Sequence, residues 1–280
     1  MLLLKTIAET WNACERMRTA GKTLGLVPTM GALHQGHLSL VRAAQASCDA
    51  VAVSIFVNPT QFGPKEDFAG YPRSLEQDCR TLEAAGVDLV FTPSAAEMYP
   101  NGASTFVEVA GLSDRLDGAS RPGHFRGVAT VVAKLLHIFA PERAFFGQKD
   151  AAQIAVLGKM VRDLQFPVRL EVCPTVREPD GLALSSRNSY LSDEQRRQAL
   201  VLYRALLAVQ QQLHGGEHDP GKLIAAAMRI LDEEPAVRVD YFSIVDPETL
   251  EDVLDVRPGA ALVAVAALVG ATRLIDNLPL

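Results

Sequence analysis

The stretch Val27-Pro-Thr-Met-Gly-Ala-Leu-His-Gln-Gly-His-Leu38 decides the fold. A short apolar run, Leu24 to Val27, leads into it, and a segment of helical period, His37 to Ser47, leads out. A strand that turns through glycines directly into a helix opens a strand–helix–strand unit. The same order recurs downstream. Ala50 to Val57, Val87 to Phe91, Arg143 to Phe146 and Val168 to Val172 read as buried strands bounded by Gly, Pro or Asn. Ser74 to Ala85, Val128 to Phe139 and Ala151 to Asp163 read as the helices between them. This alternation predicts right-handed crossovers and an α/β fold, a Rossmann-like doubly wound parallel sheet.

The pattern changes after Thr175. A loop, Arg177-Glu-Pro-Asp-Gly, precedes Ser192-Asp-Glu-Gln, which has the form of a helix-starting capping box. Helical stretches Asp193 to Leu213 and Pro220 to Glu233 follow, separated by Gly215-Gly216, and strand-like runs Val237 to Val245 and Ala261 to Val269 end the chain. We therefore expect two domains. Residues 1–175 form the Rossmann-like nucleotide- and substrate-binding domain, and 176–280 a smaller α+β domain with antiparallel strands, placed to act as a lid.

Composition narrows the partners. The 280 residues are 48% hydrophobic and 21% charged, with a formal net charge of -6 and no Lys/Arg cluster, so there is no electrostatic footprint for nucleic acid. The four cysteines are scattered without CxxC spacing, as expected of reduced thiols in the cytoplasm. The N-terminus turns polar too soon for a signal peptide, and the apolar run Ala260 to Gly270 is too short to span a bilayer. Small metabolites are the expected partners.

Four segments carry chemistry. In the first, Gly31 and Gly36 let the backbone approach a ligand, the helix start suits phosphate, and His34 and His37 can donate to phosphate oxygens. It is neither a Walker A loop nor GxGxxG. A metal pair at His34 and His37 lacks the HExxH pattern and a nearby third ligand, so no protein-held metal is expected. The second, Ser54-Ile-Phe-Val-Asn-Pro-Thr-Gln, offers Asn58 and Gln61, amides that both donate and accept, as a hydroxy acid requires. The third, Phe145-Phe-Gly-Gln-Lys-Asp-Ala-Ala-Gln, is another strand–Gly–helix junction, with Lys149 placed for phosphate and Asp150 for a ribose hydroxyl or a helix cap. The fourth, Leu184-Ser-Ser-Arg-Asn, sets two hydroxyls beside a guanidinium fork and makes a clamp for polyphosphate.

His34-Gln-Gly-His37 resembles the HIGH motif of the nucleotidylyltransferase superfamily, and Pro28-Thr-Met-Gly-Ala-Leu-His-Gln-Gly-His37 resembles the pantothenate synthetase family in particular. The likeness runs from about Pro28 to Asp246. It implies an ATP-dependent ligase that activates (R)-pantoate as its adenylate, releases pyrophosphate, and passes the acyl group to β-alanine. It implies ATP contacts from Pro28, Thr29, Met30, Gly31, His34, Gly36, His37, Gly147, Gln148, Lys149, Asp150, Val176, Leu184, Ser185, Ser186 and Arg187. Pantoate and β-alanine fall to Asn58, Gln61, Gln153 and Met30, with Val131 and Val132 as apolar wall; Arg187 stands where many relatives carry Lys. Relatives with paired aspartates near magnesium have Gln77-Asp78 as their counterpart here, so Mg2+ is expected mainly on ATP oxygens and water. A homodimer is also implied. The alternatives are an adenylyltransferase with a phosphate-bearing acceptor, which calls for extra basic residues, and a catalytically dead nucleotide-binding module, which calls for degraded motifs. Neither feature is present.

Overall fold

The computed structural model describes residues 1–64 and 66–280. Six strands form one parallel sheet: β1 (Leu2–Leu4), β2 (Leu24–Thr29), β3 (Ala50–Ile55), β4 (Leu89–Phe91), β5 (Arg143–Gly147) and β6 (Arg169–Cys173). The helices between them are α1 (Ile7–Thr19), α2 (Gln35–Gln45), α3 (Leu75–Ala84), α4 (Ala95–Met98), α5 (Asp117–Ser120), α6 (His124–Phe139) and α7 (Ala151–Asp163). Strand order is β1-β4-β3-β2-β5-β6. The chain moves outward from β2 to one edge, then returns to lay β5 on β2's other side, where Gly25 pairs with Arg143 and Leu26 with Ala144. The carboxyl ends of β2 and β5 thus flank the switch point, where open α/β sheets bind ligands.

Both faces of the sheet are covered, and the strands show why. Leu24, Leu26, Ala50, Ala52, Leu89, Phe91, Ala144 and Phe146 feed one core with residues of α1, α6 and α7. Their alternates Val27, Val51, Val53, Val90 and Phe145 feed the other core, beneath Leu40, Val41 and Ala44 of α2 and Leu82 of α3. Strands buried on both sides read as unbroken apolar runs. No helix among the described residues is long and apolar enough to cross a membrane.

Beyond β6, α8 (Asp193–His214) and α9 (Pro220–Leu231) pack on an antiparallel sheet in the order β7 (Val237–Val245), β8 (Leu262–Val269), β9 (Thr272–Pro279). The Ser192–Gln195 capping box starts α8 as expected. Asp276 and Asn277 of β9 fix this sheet to the segments that leave β6 and β5. Arg177 makes a buried bidentate pair with Asp276 (2.6 and 2.9 Å), and Asn277 Nδ2 donates to the carbonyls of Gln148 (3.0 Å) and Lys149 (2.8 Å). Leu262 and Ala264 of β8 also enter the core beneath α6.

Several elements differ from expectation, among them the short helices α4 and α5 and the last strand, β9, which had no counterpart in the sequence. The helix expected from Val128 begins at His124, since Gly123 (φ 82) takes the left-handed N-cap position. β1 and α1 had no counterpart in the sequence reading. α1 is set by a local device, the Thr6–Glu9 capping box, while only Thr10, Ala13 and Cys14 of it are fully buried.

Candidate active site

β2 delivers the histidine turn. After Thr29 the backbone enters the left-handed region at Gly31 (φ 84) and Ala32 (φ 51), then starts α2 with His34 as N-cap. His34 Nδ1 accepts from the Gly36 N–H (3.1 Å), and His37 Nδ1 accepts from the His34 N–H (3.2 Å), a capping box built from two imidazoles. The rings lie 4.1 Å apart. Because both Nδ1 atoms accept, each ring carries its proton on Nε2 and presents a neutral donor. Burial, with its neighbour His34 adding repulsion, pushes His37 down to about 3; burial and the Lys149 ammonium lower His34 in the same direction.

That depression has a consequence for stability. The unfolded chain protonates His37 near the ordinary 6.5, whereas the folded chain refuses the proton until about 3, so folding stability falls as pH drops through this window and is complete above it. His37→Gln should flatten the acid-side decline by up to about 1 kcal/mol per pH unit near pH 5, measured as urea-unfolding free energy at several pH values. Parallel profiles for the two proteins would contradict the assignment.

The segment after β3 holds Gln61 on a single 3-10 turn. Asn58, buried at its base, donates to Gln61 Oε1 and the Gly127 carbonyl (both 3.1 Å). Its Oδ1 accepts from the Thr60 N–H (3.3 Å), the Thr60 hydroxyl (2.9 Å) and the Tyr99 hydroxyl (2.8 Å). Every polar capacity of Asn58 is therefore engaged within the protein. It lines the cavity as the group that fixes Gln61. Gln61 Nε2, by contrast, donates only to the weak acceptor Met30 Sδ (3.2 Å), a partner that a substrate oxygen readily displaces.

Sequence reasoning missed what holds this turn from behind. His124, at the start of α6, donates from Nδ1 to the Gln61 carbonyl (2.8 Å), and Arg121 reaches His124 Nε2 (3.0 Å) while gripping Glu66 with two 2.7 Å bonds. Burial and the Arg121 charge push His124 down to about 4, so it stays neutral and can bridge the guanidinium and the carbonyl. The only signal in the sequence was a histidine beside a glycine ahead of an apolar helix.

From β5, Lys149 extends into the cavity with a long contact to Asp150 Oδ1 (3.4 Å). Asp150 occupies the N-cap position of α7 but makes no side-chain cap bond, which removes the capping alternative. Gln148 is outside the cavity lining, and its Nε2 donates to Asn277 Oδ1 (3.0 Å), which ties the β5 junction to β9.

The fourth segment closes the cavity. Leu184 N–H donates to the Val176 carbonyl (3.0 Å), setting these two apolar residues side by side. Ser185 Oγ accepts from the Arg187 N–H (3.2 Å) and caps a short 3-10 turn; Ser186 Oγ meets the Tyr71 hydroxyl (3.2 Å). The Arg187 guanidinium pairs bidentately with Asp67 (3.1 and 3.2 Å). Asp67, missed from sequence, and Tyr71 thus occupy the polar groups of the expected phosphate clamp with protein partners.

Together these elements line a cavity of about 220 Å³ at the switch point. It contains every residue that the sequence reading assigned to the site except Gly31 and Gln148, including Gln153, Val131 and Val132. Gly31 acts through its backbone: a methyl group there would stand 3.0 Å from Asp78 Oδ2 and 3.1 Å from Ile55 Cγ2. A second cavity of about 670 Å³, between the two sheets, shares Met30, Gln61, Lys149, Asp150, Gln153, Ser185 and Arg187 with the first.

Comparison with known proteins agrees over the full length. The model of the family described as pantoate-beta-alanine ligase matches residues 2–279. A pantothenate synthetase of Acidobacterium capsulatum is 65% identical over 96% of this chain and 87% of its own length. The crystal structure of pantothenate synthetase from Thermus thermophilus superposes with a TM-score of 0.95 at 50% identity, covering 100% of this chain and 99% of that one. That of the Francisella tularensis pantoate-beta-alanine ligase, complexed with beta-gamma ATP and beta-alanine, gives 0.83 at 33% identity, covering 100% and 97%. With its fold and all but its terminal residues matched, this chain belongs to the pantoate-beta-alanine ligase family.

Proposed function

We infer that this enzyme runs two half-reactions in the one cavity, whose sum is the ATP-dependent condensation of (R)-pantoate with β-alanine to pantothenate. In the first, the pantoate carboxylate attacks the α-phosphorus of ATP and pyrophosphate leaves. In the second, the β-alanine amine attacks the acyl carbonyl of pantoyl adenylate and AMP leaves. The observation that carries the reading is a single cavity lined both by the neutral imidazole donors, Lys149 and the Ser185–Arg187 loop and by the Gln61 and Gln153 amides with Val131 and Val132.

Each half-reaction takes its nucleophile from a substrate, so the protein aligns the reactants and stabilises charge. His34 and His37 donate Nε2–H bonds to oxygens that gain charge as pyrophosphate departs. Lys149, Ser185, Ser186 and Arg187 receive the rest of that charge, Arg187 by exchanging Asp67 for phosphate. Val176 and Leu184 wall the base, while Pro28, Thr29, Met30, Gly36 and Gly147 bring backbone close to the nucleotide. Gln61 and Gln153 orient the hydroxy acid. Residues 176–280 act as a lid over residues 1–175 and keep water from the adenylate. Magnesium enters with ATP, held by phosphate oxygens and water. The enzyme works as a cytoplasmic homodimer, on the pattern that the sequence resemblance implies.

The test is ATP–pyrophosphate exchange with purified protein and Mg2+. Exchange is expected with (R)-pantoate in the absence of β-alanine. ATP binding without exchange for any small acid would eliminate the adenylate step.

A further inference from the structure

We propose that Asp78 is a positioning residue for adenylate formation, the internal anion that holds the turn aiming His34 and His37; the proposal rests on the functional reading above. Asp78 sits on α3, outside the cavity lining, and is 2% exposed. Its Oδ2 accepts from the Ala32 N–H and its Oδ1 from the Leu33 N–H, both at 2.9 Å, and Ser74 Oγ donates to Oδ1 at 3.3 Å. Both carboxylate oxygens are engaged by the protein.

The turn needs such a partner. Gly31 and Ala32 are consecutive left-handed residues (φ 84 and 51), and the second carries a side chain, at a cost of roughly 1–2 kcal/mol. The successive Ala32 and Leu33 N–H groups of this turn both point at one carboxylate and form an anion-binding nest. In P-loops a nest of this type receives the nucleotide phosphate. Here it faces inward and is filled by Asp78, so the turn is organised before nucleotide arrives. Two residues later His34 begins α2, with its N–H on His37 Nδ1. Release of the nest would free the chain just ahead of that capping box and misplace both Nε2 donors together. Misplacement of about 1 Å at a reacting group typically costs about 100-fold in rate.

Asp78→Asn isolates the effect. The amide is isosteric but turns one acceptor into a donor, so an NH2 group opposes a backbone N–H across 2.9 Å and the nest opens. In ATP–pyrophosphate exchange we expect kcat to fall about 100-fold, with the Mg2+ half-saturation and the pantoate KM within about twofold of the unsubstituted enzyme. In a His37→Ala background the same change should add little, because one donor is gone and His34 has already lost the bond that aligns its N–H. Wild-type kcat, or a tenfold rise in Mg2+ half-saturation with activity restored at high Mg2+, would overturn the proposal, the latter in favour of a metal ligand. Imidazole ¹⁵N–¹H spectra decide independently of turnover. Both rings should be Nε2–H tautomers in the unsubstituted enzyme, and His37 a tautomer mixture in Asp78→Asn; an unchanged His37 signal would count against the nest. Should Asp78→Asn fail to fold, Gly31→Ala strains the same turn and should show the same kcat loss at unchanged Mg2+ dependence. Absence of exchange in the unsubstituted enzyme overturns the functional reading instead, and the spectra still judge the role of Asp78.

Discussion

Replacement of His37 by Ala is expected to cut pantoate-dependent ATP–pyrophosphate exchange by at least about 100-fold, the loss typical of removing one preorganised electrostatic donor. The structure makes this expectation sharper than the motif alone. His37 is neutral, with Nδ1 held by the His34 N–H, so its Nε2–H direction is fixed before substrate binds. A donor oriented in advance needs no reorganisation as charge develops on the departing pyrophosphate. Alanine removes that donor and also strands the His34 N–H at the start of α2, so His34 loses alignment as well. His37→Gln keeps a side-chain donor and acceptor and should fall between Ala and the unsubstituted enzyme. The second half-reaction separates the roles. When pantoyl adenylate is supplied directly, His37→Ala should lose far less, since AMP rather than pyrophosphate leaves. A folded His37→Ala protein with near-normal exchange would remove His37 from the chemistry.

What could be read beforehand follows the range of the physical signals. The parallel sheet was legible because strands buried on both faces read as apolar runs, and Ala50–Ile55 is apolar at every position but Ser54. The two junctions at Gly31 and Gly147 were legible because strand, turn and helix are consecutive in the chain. β1 escaped because three residues, Leu2–Leu4, give no period to recognise. α1 escaped because Trp11 is exposed and few of its residues are fully buried, leaving a weak apolar stripe. The site divides in the same way. Residues that meet the cavity from a strand end were found. Those that act across long sequence separations were not: Asp67 on Arg187, 120 residues apart, and His124 on the Gln61 carbonyl, 63 apart. Asn58 shows the intermediate case, in which residue type announced hydrogen bonding but only the fold revealed that its partners are internal.

Gly127 supplies the other large effect. Its helix, α6, packs directly on the 3-10 turn that carries Gln61. A methyl group at position 127 would overlap the Thr60 carbonyl oxygen and stand 2.5 Å from the Thr60 carbonyl carbon and 2.7 Å from Gln61 Cα. All three are backbone atoms, so no side-chain rotation relieves the clash. Either α6 or the turn must retreat by about 1 Å, and overpacking of this kind costs typically 1–3 kcal/mol. The retreat also breaks the Asn58 bond to the Gly127 carbonyl, which anchors Gln61 from the other side. Gly127→Ala should therefore lower kcat/KM for pantoate about 100-fold, as expected for a displacement of about 1 Å at a substrate-orienting group. The KM for ATP should change far less, because the nucleotide side is built on the ends of β2 and β5 and on the Ser185–Arg187 loop. Steady-state kinetics with each substrate varied in turn, alongside thermal unfolding, make the comparison. A folded Gly127→Ala enzyme with unaltered pantoate kinetics would show that the Gln61 turn tolerates displacement, and that pantoate orientation is set by Gln153 and the apolar wall alone.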